Sequence, residues 1–306
     1  MHDHRPDSAH LRLAFFLTAF ILAIEVLAGI FSHSLALLSD AGHVLTDIIA
    51  LGLAWFAAVQ AGRPADANRT YGYHRTGILA ALANAGTLIV IVAVIAVEAV
   101  QRLQHPVSVS PGLMGIAAAV GIAVNLYIAY SLSHSADENL NVRAVTLHVV
   151  GDVAASAAVI LGAIVIYLSG WYPADALISL FVAALIARGA WSVLRETLRI
   201  LMEGAPPDLD VDRLVEDMRR EPGIEGVHDL HIWSLAGGMT MLTAHVQVTD
   251  GLLSEHDRLV SDLDGLLRDR YHIGHATIQL EAACCPRPDL YCAPEQAPPP
   301  AAAHQH

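Results

Sequence analysis

Residues 35–59 read LALLSDAGHVLTDIIALGLAWFAAV. A helix needs about 20 mostly apolar residues to cross a bilayer's hydrocarbon core, and this stretch is long enough. Yet it carries His43 and Asp47 in its interior, with Asp40 three residues before the histidine. A charged side chain at the centre of a membrane helix costs roughly 2.5–3.5 kcal/mol on insertion scales. A span keeps such groups only where they have partners or a task.

Working outward, five further apolar stretches qualify as spans, at roughly 13–31, 77–101, 112–132, 144–168 and 174–194. Pro, Gly or charge separates them, as at Arg63-Pro64-Ala65-Asp66, His105-Pro106, Ser135-Ala136-Asp137-Glu138 and Gly170-Trp171-Tyr172-Pro173. Only 15% of the chain is charged and 55% is hydrophobic, against about 25% charged in soluble domains. With the N-terminus inside, the inner segments hold Arg5, Arg12, Arg63, Arg69, Arg75, Arg143, Arg195 and Arg199, whereas the outer loops hold only Arg102. That asymmetry predicts cytoplasmic N- and C-termini. No cleavable signal peptide is expected, because the chain begins polar and His-rich and no small-residue cleavage site follows the first apolar run.

The fifth span repeats the motif of the second, with His148 and Asp152. Spacing i, i+4 puts both side chains of a pair on one helix face. Two such faces opposed supply two imidazole nitrogens and two carboxylate oxygens, a donor set suited to tetrahedral Zn2+. Oxygen-only sites for Mg2+ or Ca2+ have no use for histidine. A lone His–Asp pair is ordinarily a packing contact, but two copies inside a membrane predict one metal site. Asp40 is a neighbour or mouth residue of that site. Glu25, Glu98, Asn84 and Asn125 also lie in spans, and inter-helix hydrogen bonding or an interfacial position accounts for them.

After Gly204-Ala205-Pro206-Pro207 the composition turns soluble. An amphipathic helix is expected over 208–220 with Asp208 near its N-cap. Strands follow at 224–234 and 239–249 around Gly237-Gly238. A helix over 254–271 starts at Ser254, and a last strand spans 275–281. The order αββαβ predicts a small sheet with two helices on one face. His228, His231, His245, His275 and Glu281 sit on or beside these strands, with Cys284, Cys285 and Cys292 following. Zinc takes these ligand types, and three cysteines within nine residues are no disulfide framework. His231 is read as a structural residue on the strand face of Trp233. The net charge of −13 argues against a nucleic-acid partner. An enzyme is not expected, since four ligands saturate a tetrahedral metal and leave no position for a substrate.

The run Ser39-Asp40-Ala41-Gly42-His43-Val44-Leu45-Thr46-Asp47 resembles the second-helix signature of the cation diffusion facilitators, a family of zinc transporters. Leu147-His148-Val149-Val150-Gly151-Asp152 is similar to its fifth-helix counterpart, and Tyr71-Gly72-Tyr73-His74-Arg75 to the segment before its third helix. Val227–Leu235 and His275–Glu281 resemble its cytosolic domain. The resemblance implies a homodimer in the inner (plasma) membrane bilayer, with six transmembrane helices per protomer and a ferredoxin-like cytosolic domain. It also implies export of Zn2+ in exchange for H+, with the His/Asp–His/Asp site favouring zinc over cadmium. The boundaries it suggests are a cytosolic His-containing N-terminus at 1–12, a membrane domain at 13–200, a metal-binding cytosolic domain at 205–283 and a Cys-containing, Pro/Ala-rich tail at 284–306.

By the same resemblance, His245 and Glu281 match metal-binding positions of the animal branch, whose tail cysteines also bind; His228 and the three cysteines complete the candidate set. Some members place another metal in the loop after the second helix, with one Asp and two His. Here Asp66 matches, but Arg69 and Tyr73 stand at the histidine positions and His74 is displaced by one. His2, His4 and His10 match N-terminal histidines that reach the partner's cytosolic domain, whereas His304 and His306 are read as inert. Imidazole titrates at about 6.5, so metal and proton compete for the site near neutral pH. A transporter of Co2+, Ni2+ or Cd2+ and a membrane metal sensor without transport are the rival readings.

Overall fold

The structure is a computed structural model that describes residues 8–133, 140–282 and 289–291, with backbone alone for 8–14, 129, 131–133, 140–150 and 253–255. His2, His4, Cys284, Cys285, Cys292, His304 and His306 lie outside the described residues, as do the side chains of His10 and His148. The chain divides into two compact units, residues 1–197 and 198–306.

In the first unit, helices α1 (Ser8–Ser32), α2 (Leu35–Ala61), α3 (Thr76–Gln104), α4 (Pro111–Ser133), α5 (Leu140–Ser169) and α6 (Pro173–Leu201) are each long and apolar enough to cross a membrane. Five of them overrun the expected spans at both ends, whereas α2 begins at Leu35 as expected and runs two residues past 59. At 27 residues, α2 is about 40 Å long, longer than the roughly 30 Å hydrocarbon layer. Large side chains such as Phe16, Trp55, Tyr167 and Leu168 face outward, as lipid-facing surface does. Small residues line the packed faces: Ala28 of α1, Ala36 of α2, Ala117 and Ala118 of α4, and Ala163 of α5. Without a hydrophobic drive between helices in lipid, close backbone approach supplies the packing. Gly29 shows the tightness, because a Cβ there would lie 2.7 Å from the Leu38 side chain.

Two contacts tie α2 to its neighbours. A helix begins with four amides that lack intrahelical partners. At the start of α2, Ser34 Oγ accepts from Leu37 N (3.2 Å) and donates to Asp175 of α6 (2.6 Å). The same carboxylate accepts from Leu35 N at 2.7 Å and Ala36 N at 3.3 Å. An anion at a helix N-terminus is favoured by the dipole. Arg102 of α3 stands 3.7 Å from Asp175 and donates to the carbonyl of His33, whose φ of 55° closes the α1–α2 turn. Further along, Ser156 Oγ of α5 donates to Asp40 Oδ2 of α2 at 2.8 Å, both residues being buried.

The second unit contains α7 (Val211–Arg219), β1 (Ile224–Ala236), β2 (Met239–Val248), α8 (Leu253–Tyr271) and β3 (Ile273–Glu281). β1 and β2 pair antiparallel around Gly237-Gly238, where Gly238 has φ 75°. Such two-residue turns need positive φ. β3 returns through α8 to pair parallel with β2. Leu214, Val215 and Met218 of α7 and Leu263 and Leu267 of α8 pack on Val227, Leu242, Ala244 and Val246 of the sheet. The N-cap of α7 is Asp210, which accepts from Arg213 N at 3.0 Å, not the expected Asp208. Helix α8 begins at Leu253, one residue before the expected start.

Between His228 and His231 the β1–β2 register slips. Asp229 and Leu230 of β1 there face Ala244 of β2 alone, a bulge, and Asp229 within it adopts φ 49°. The displaced amides of Asp229 and Leu230 donate to Asp289 O (3.2 Å) and Leu290 O (2.8 Å). Residues 289–290 therefore run beside β1.

Asp217 of α7 is buried and accepts from the Tyr271 hydroxyl, with Arg270 at 2.7 Å and Arg220 at 3.2 Å. The Tyr271 hydrogen bond, then the two arginines, hold its carboxyl below the ordinary range. A depressed carboxyl pKa adds stability above the unfolded value of about 3.9, which is lost as pH falls through the folded value. Tyr271→Phe removes the leading cause, so the second unit of the full chain will open at a higher pH on acidification, read by amide exchange in β3 and α8. Ser156→Ala leaves the buried Asp40 without its hydroxyl donor. Its expected cost is about 1–3 kcal/mol, read as a lower unfolding midpoint in detergent.

Candidate metal centres

In the membrane unit, α2 brings His43 and Asp47 to one face and α5 brings Asp152 against them. His43 Nε2 lies 3.3 Å from Asp152 Oδ1 and 3.8 Å from Asp47 Oδ2. One ligand atom from each of the three lies within 4.8 Å of the others. A tetrahedral zinc with bonds of about 2.0–2.1 Å has ligand–ligand edges of about 3.3–3.4 Å. The His43–Asp152 separation matches such an edge. All three side chains keep some exposure, 15–26%, so the cluster is not sealed. His148 stands on α5 one turn before Asp152.

Asp40 belongs to no such three-ligand group among the described residues; its carboxylate is engaged by Ser156, one turn of α2 before His43. Glu25 is buried on α1, and a Cβ on Gly121 would come within 3.0 Å of its Oε1. A glycine at that position of α4 leaves room for the carboxyl. Glu98 is 45% exposed and pairs with Arg102 at 3.0 Å along its own helix, rather than bridging helices.

In the loop between α2 and α3, Asp66 Oδ1 accepts from Asn68 N (2.8 Å) and Arg69 N (2.9 Å), while Oδ2 accepts from Tyr73 (2.8 Å). The Tyr73 hydroxyl first, and the backbone amides with it, hold this carboxyl below the usual range. Asp66 is thereby committed to the loop's own structure. Among the described residues, neither Asp66 nor His74 joins a three-ligand group.

The second centre lies on the sheet. Strand alternation turns Ala244 and Val246 toward the helices and His245 to the opposite face. His228 is its direct cross-strand partner, with ring centroids 5.3 Å apart. Glu281 of β3 reaches both, Oε2 at 3.1 Å from His228 Nε2 and Oε1 at 2.9 Å from His245 Nδ1. Two imidazoles and a carboxylate within 4.8 Å form a zinc-type donor set. Asp229, on the bulge, places Oδ2 at 3.4 Å from His245 Nε2 and Oδ1 at 3.2 Å from His231 Nε2. His231 is thus a half-exposed partner of Asp229 and lies outside the three-ligand group. The sequence reading missed Asp229, since a bulge breaks the alternation that assigns residues to faces; the run Val227-His228-Asp229-Leu230-His231 offers only the left-handed tolerance of Asp as a signal. It also missed Asp175.

Comparison with known proteins adds to this geometry. Residues 11–202 match the cation efflux transmembrane domain and residues 206–283 the cytoplasmic domain of cation efflux proteins. The chain is 41% identical over 301 residues to the zinc transporter ZitB of Escherichia coli (strain K12), covering 95% of each chain. It is 38% identical over 283 residues to the cadmium, cobalt and zinc/H(+)-K(+) antiporter of Bacillus subtilis (strain 168), covering 92% of this chain and 91% of that protein. The metal-bound C-terminal domain of the CzcD transporter is 34% identical, over 24% of this chain and 99% of its own, with a TM-score of 0.22. With both of its parts matched in order, the chain belongs to the cation efflux family, as a multi-pass membrane protein and not an enzyme.

Proposed function

We propose that this protein exports Zn2+ from the cytosol in exchange for protons, by alternating access across the inner membrane. The observation that carries the reading is the His43–Asp47–Asp152 cluster between α2 and α5, with His148 one turn away. Its donors are the atoms protons also seek. Metal arrives at deprotonated imidazole and carboxylate from one side, and protonation of the same atoms from the other side releases it. Access alternates only if α2 and α5 rearrange around the cluster together. The Asp40–Ser156 hydrogen bond joins these two helices, so it favours joint movement.

The arginine distribution supports cytoplasmic termini, and the match to the cytoplasmic domain of the family supports a homodimer. The His228–His245–Glu281 cluster, with Cys284, Cys285 and Cys292 as further candidates, is our site for a regulatory or structural Zn2+. Bound there, the metal would join all three strands through one centre. Asp229 would fix the orientation of His245 from outside it.

A broader cation range is the second reading, favoured by the cadmium and cobalt in the Bacillus subtilis relative's name. Uptake of a metal panel into vesicles under a pH gradient decides between them. Zinc is expected to be transported in preference to cadmium and cobalt, and Asp47→Ala to reduce zinc uptake at least about tenfold, no less than the usual loss on removing a group that only supports a ligand. Unchanged transport by Asp47→Ala overturns the site. Uptake that persists without a proton gradient and moves no protons overturns antiport. In the Asp47→Ala background, Asp229→Asn is expected to weaken zinc binding by the remaining cluster about 10–100-fold, the usual effect of removing an outer-shell carboxylate, measured by zinc titration of the full chain.

A further inference from the structure

The loop from Gly62 to Arg75 takes no part in either cluster, yet it is highly built. Asp66 and Arg69 exchange backbone hydrogen bonds at 3.2 and 3.1 Å, Gly72 N donates to Arg69 O at 2.8 Å, and Thr76 N donates to Tyr73 O at 3.0 Å. The Tyr73 hydroxyl is pinned on Asp66. Around the immobilised ring stand two guanidiniums, Arg69 at 4.8 Å and Arg63 at 5.8 Å from its centroid. Asp66 is the loop's one acidic side chain, and its oxygens are taken by Tyr73 and by backbone amides. Three arginines against one aspartate leave residues 62–75 with a charge of +2 in a chain of net −13. At this ring two guanidiniums face the one carboxylate of Asp66, an excess of positive charge that suits a further anion.

Position names the anion. Arg63 follows the end of α2 at Ala61 by two residues, and Arg75 immediately precedes α3 at Thr76. Both therefore sit where apolar helix meets water. Trp55 and Tyr71 are 72% and 49% exposed near the same boundary, the residues that settle at headgroup level. A guanidinium's planar donors match phosphate oxygens in pairs. We propose that Arg63 and Arg69, mounted on Tyr73, form a binding site for the phosphate headgroup of an anionic phospholipid.

The test purifies the full chain from mixed micelles of phosphatidylglycerol and phosphatidylcholine and counts retained lipids by mass spectrometry. Wild type is expected to retain phosphatidylglycerol preferentially. Arg69→Gln should reduce that preference about fivefold, on the scale of one basic residue's attraction to an anionic leaflet, and Arg63→Gln/Arg69→Gln should reduce it further. Arg220→Gln, a charge change in the second unit, should leave it intact. Zinc uptake in vesicles of phosphatidylcholine alone, equal to wild type, shows that the loop variants fold. If the double variant fails that check, Arg69→Gln alone decides. An undiminished preference in a folded variant overturns the proposal. So does displacement of the lipid by millimolar inorganic phosphate, which would make the site one for a free anion.

Discussion

The structure turns on the cost of keeping His43, Asp47 and Asp152 inside an apolar bundle. Each alone is expensive at membrane depth. Brought to within 4.8 Å of one another, they become mutual partners, and a cation bound between them would offset the remaining cost. The geometry requires α2 and α5 to approach closely at one level, and the bundle's composition follows from that requirement. Alanines line the packed faces of α1, α2, α4 and α5. Asp40 and Ser156 add a second polar contact one turn earlier in α2. Neither polar pair would persist if the two helices separated into lipid.

What the sequence made legible was what rests on local pattern. Six apolar runs, the i, i+4 pairs and the hairpin at Gly237-Gly238 each follow from residues within one or two turns of one another. The helix ends were less legible, because α2 and its neighbours continue past the hydrocarbon layer into residues that hydropathy does not select. Asp208 and Asp210 are both competent caps for α7, and only the conformation of Asp210, with φ −80° and ψ 95° outside the helix, decides between them. Asp175 was illegible for another reason. Next to Pro173 it reads as a first-turn acid of its own helix, whereas its carboxylate caps α2, some 140 residues away in sequence. No periodicity carries that pairing.

The sheet cluster teaches the same lesson in two dimensions. His245 and Glu281 were assignable from resemblance, and both lie on regular strands. Asp229 was not, because the bulge at φ 49° turns its side chain toward His245 and His231 together. The same bulge releases two amides to Asp289 and Leu290. One local irregularity thus both brings a carboxylate to the cluster's edge and holds residues 289–290 beside β1.

Helix α2 is where these constraints meet, and their order along it limits how the protein can move. Its Ser34 end is capped by Asp175 of α6, with Arg102 of α3 alongside. Its middle carries Asp40, His43 and Asp47 against α5. Its far end runs into the rigid Asp66–Tyr73 loop. A rearrangement that opens the Ser34 end must either carry α6 along with α2 or strip three donors from a buried carboxylate. The second course costs more than any one contact in the bundle returns, because a buried charge that loses its donors recovers nothing from lipid. Movement of α2 with α6 attached, and with α5 held through Ser156, is therefore the course that the interactions along this helix favour.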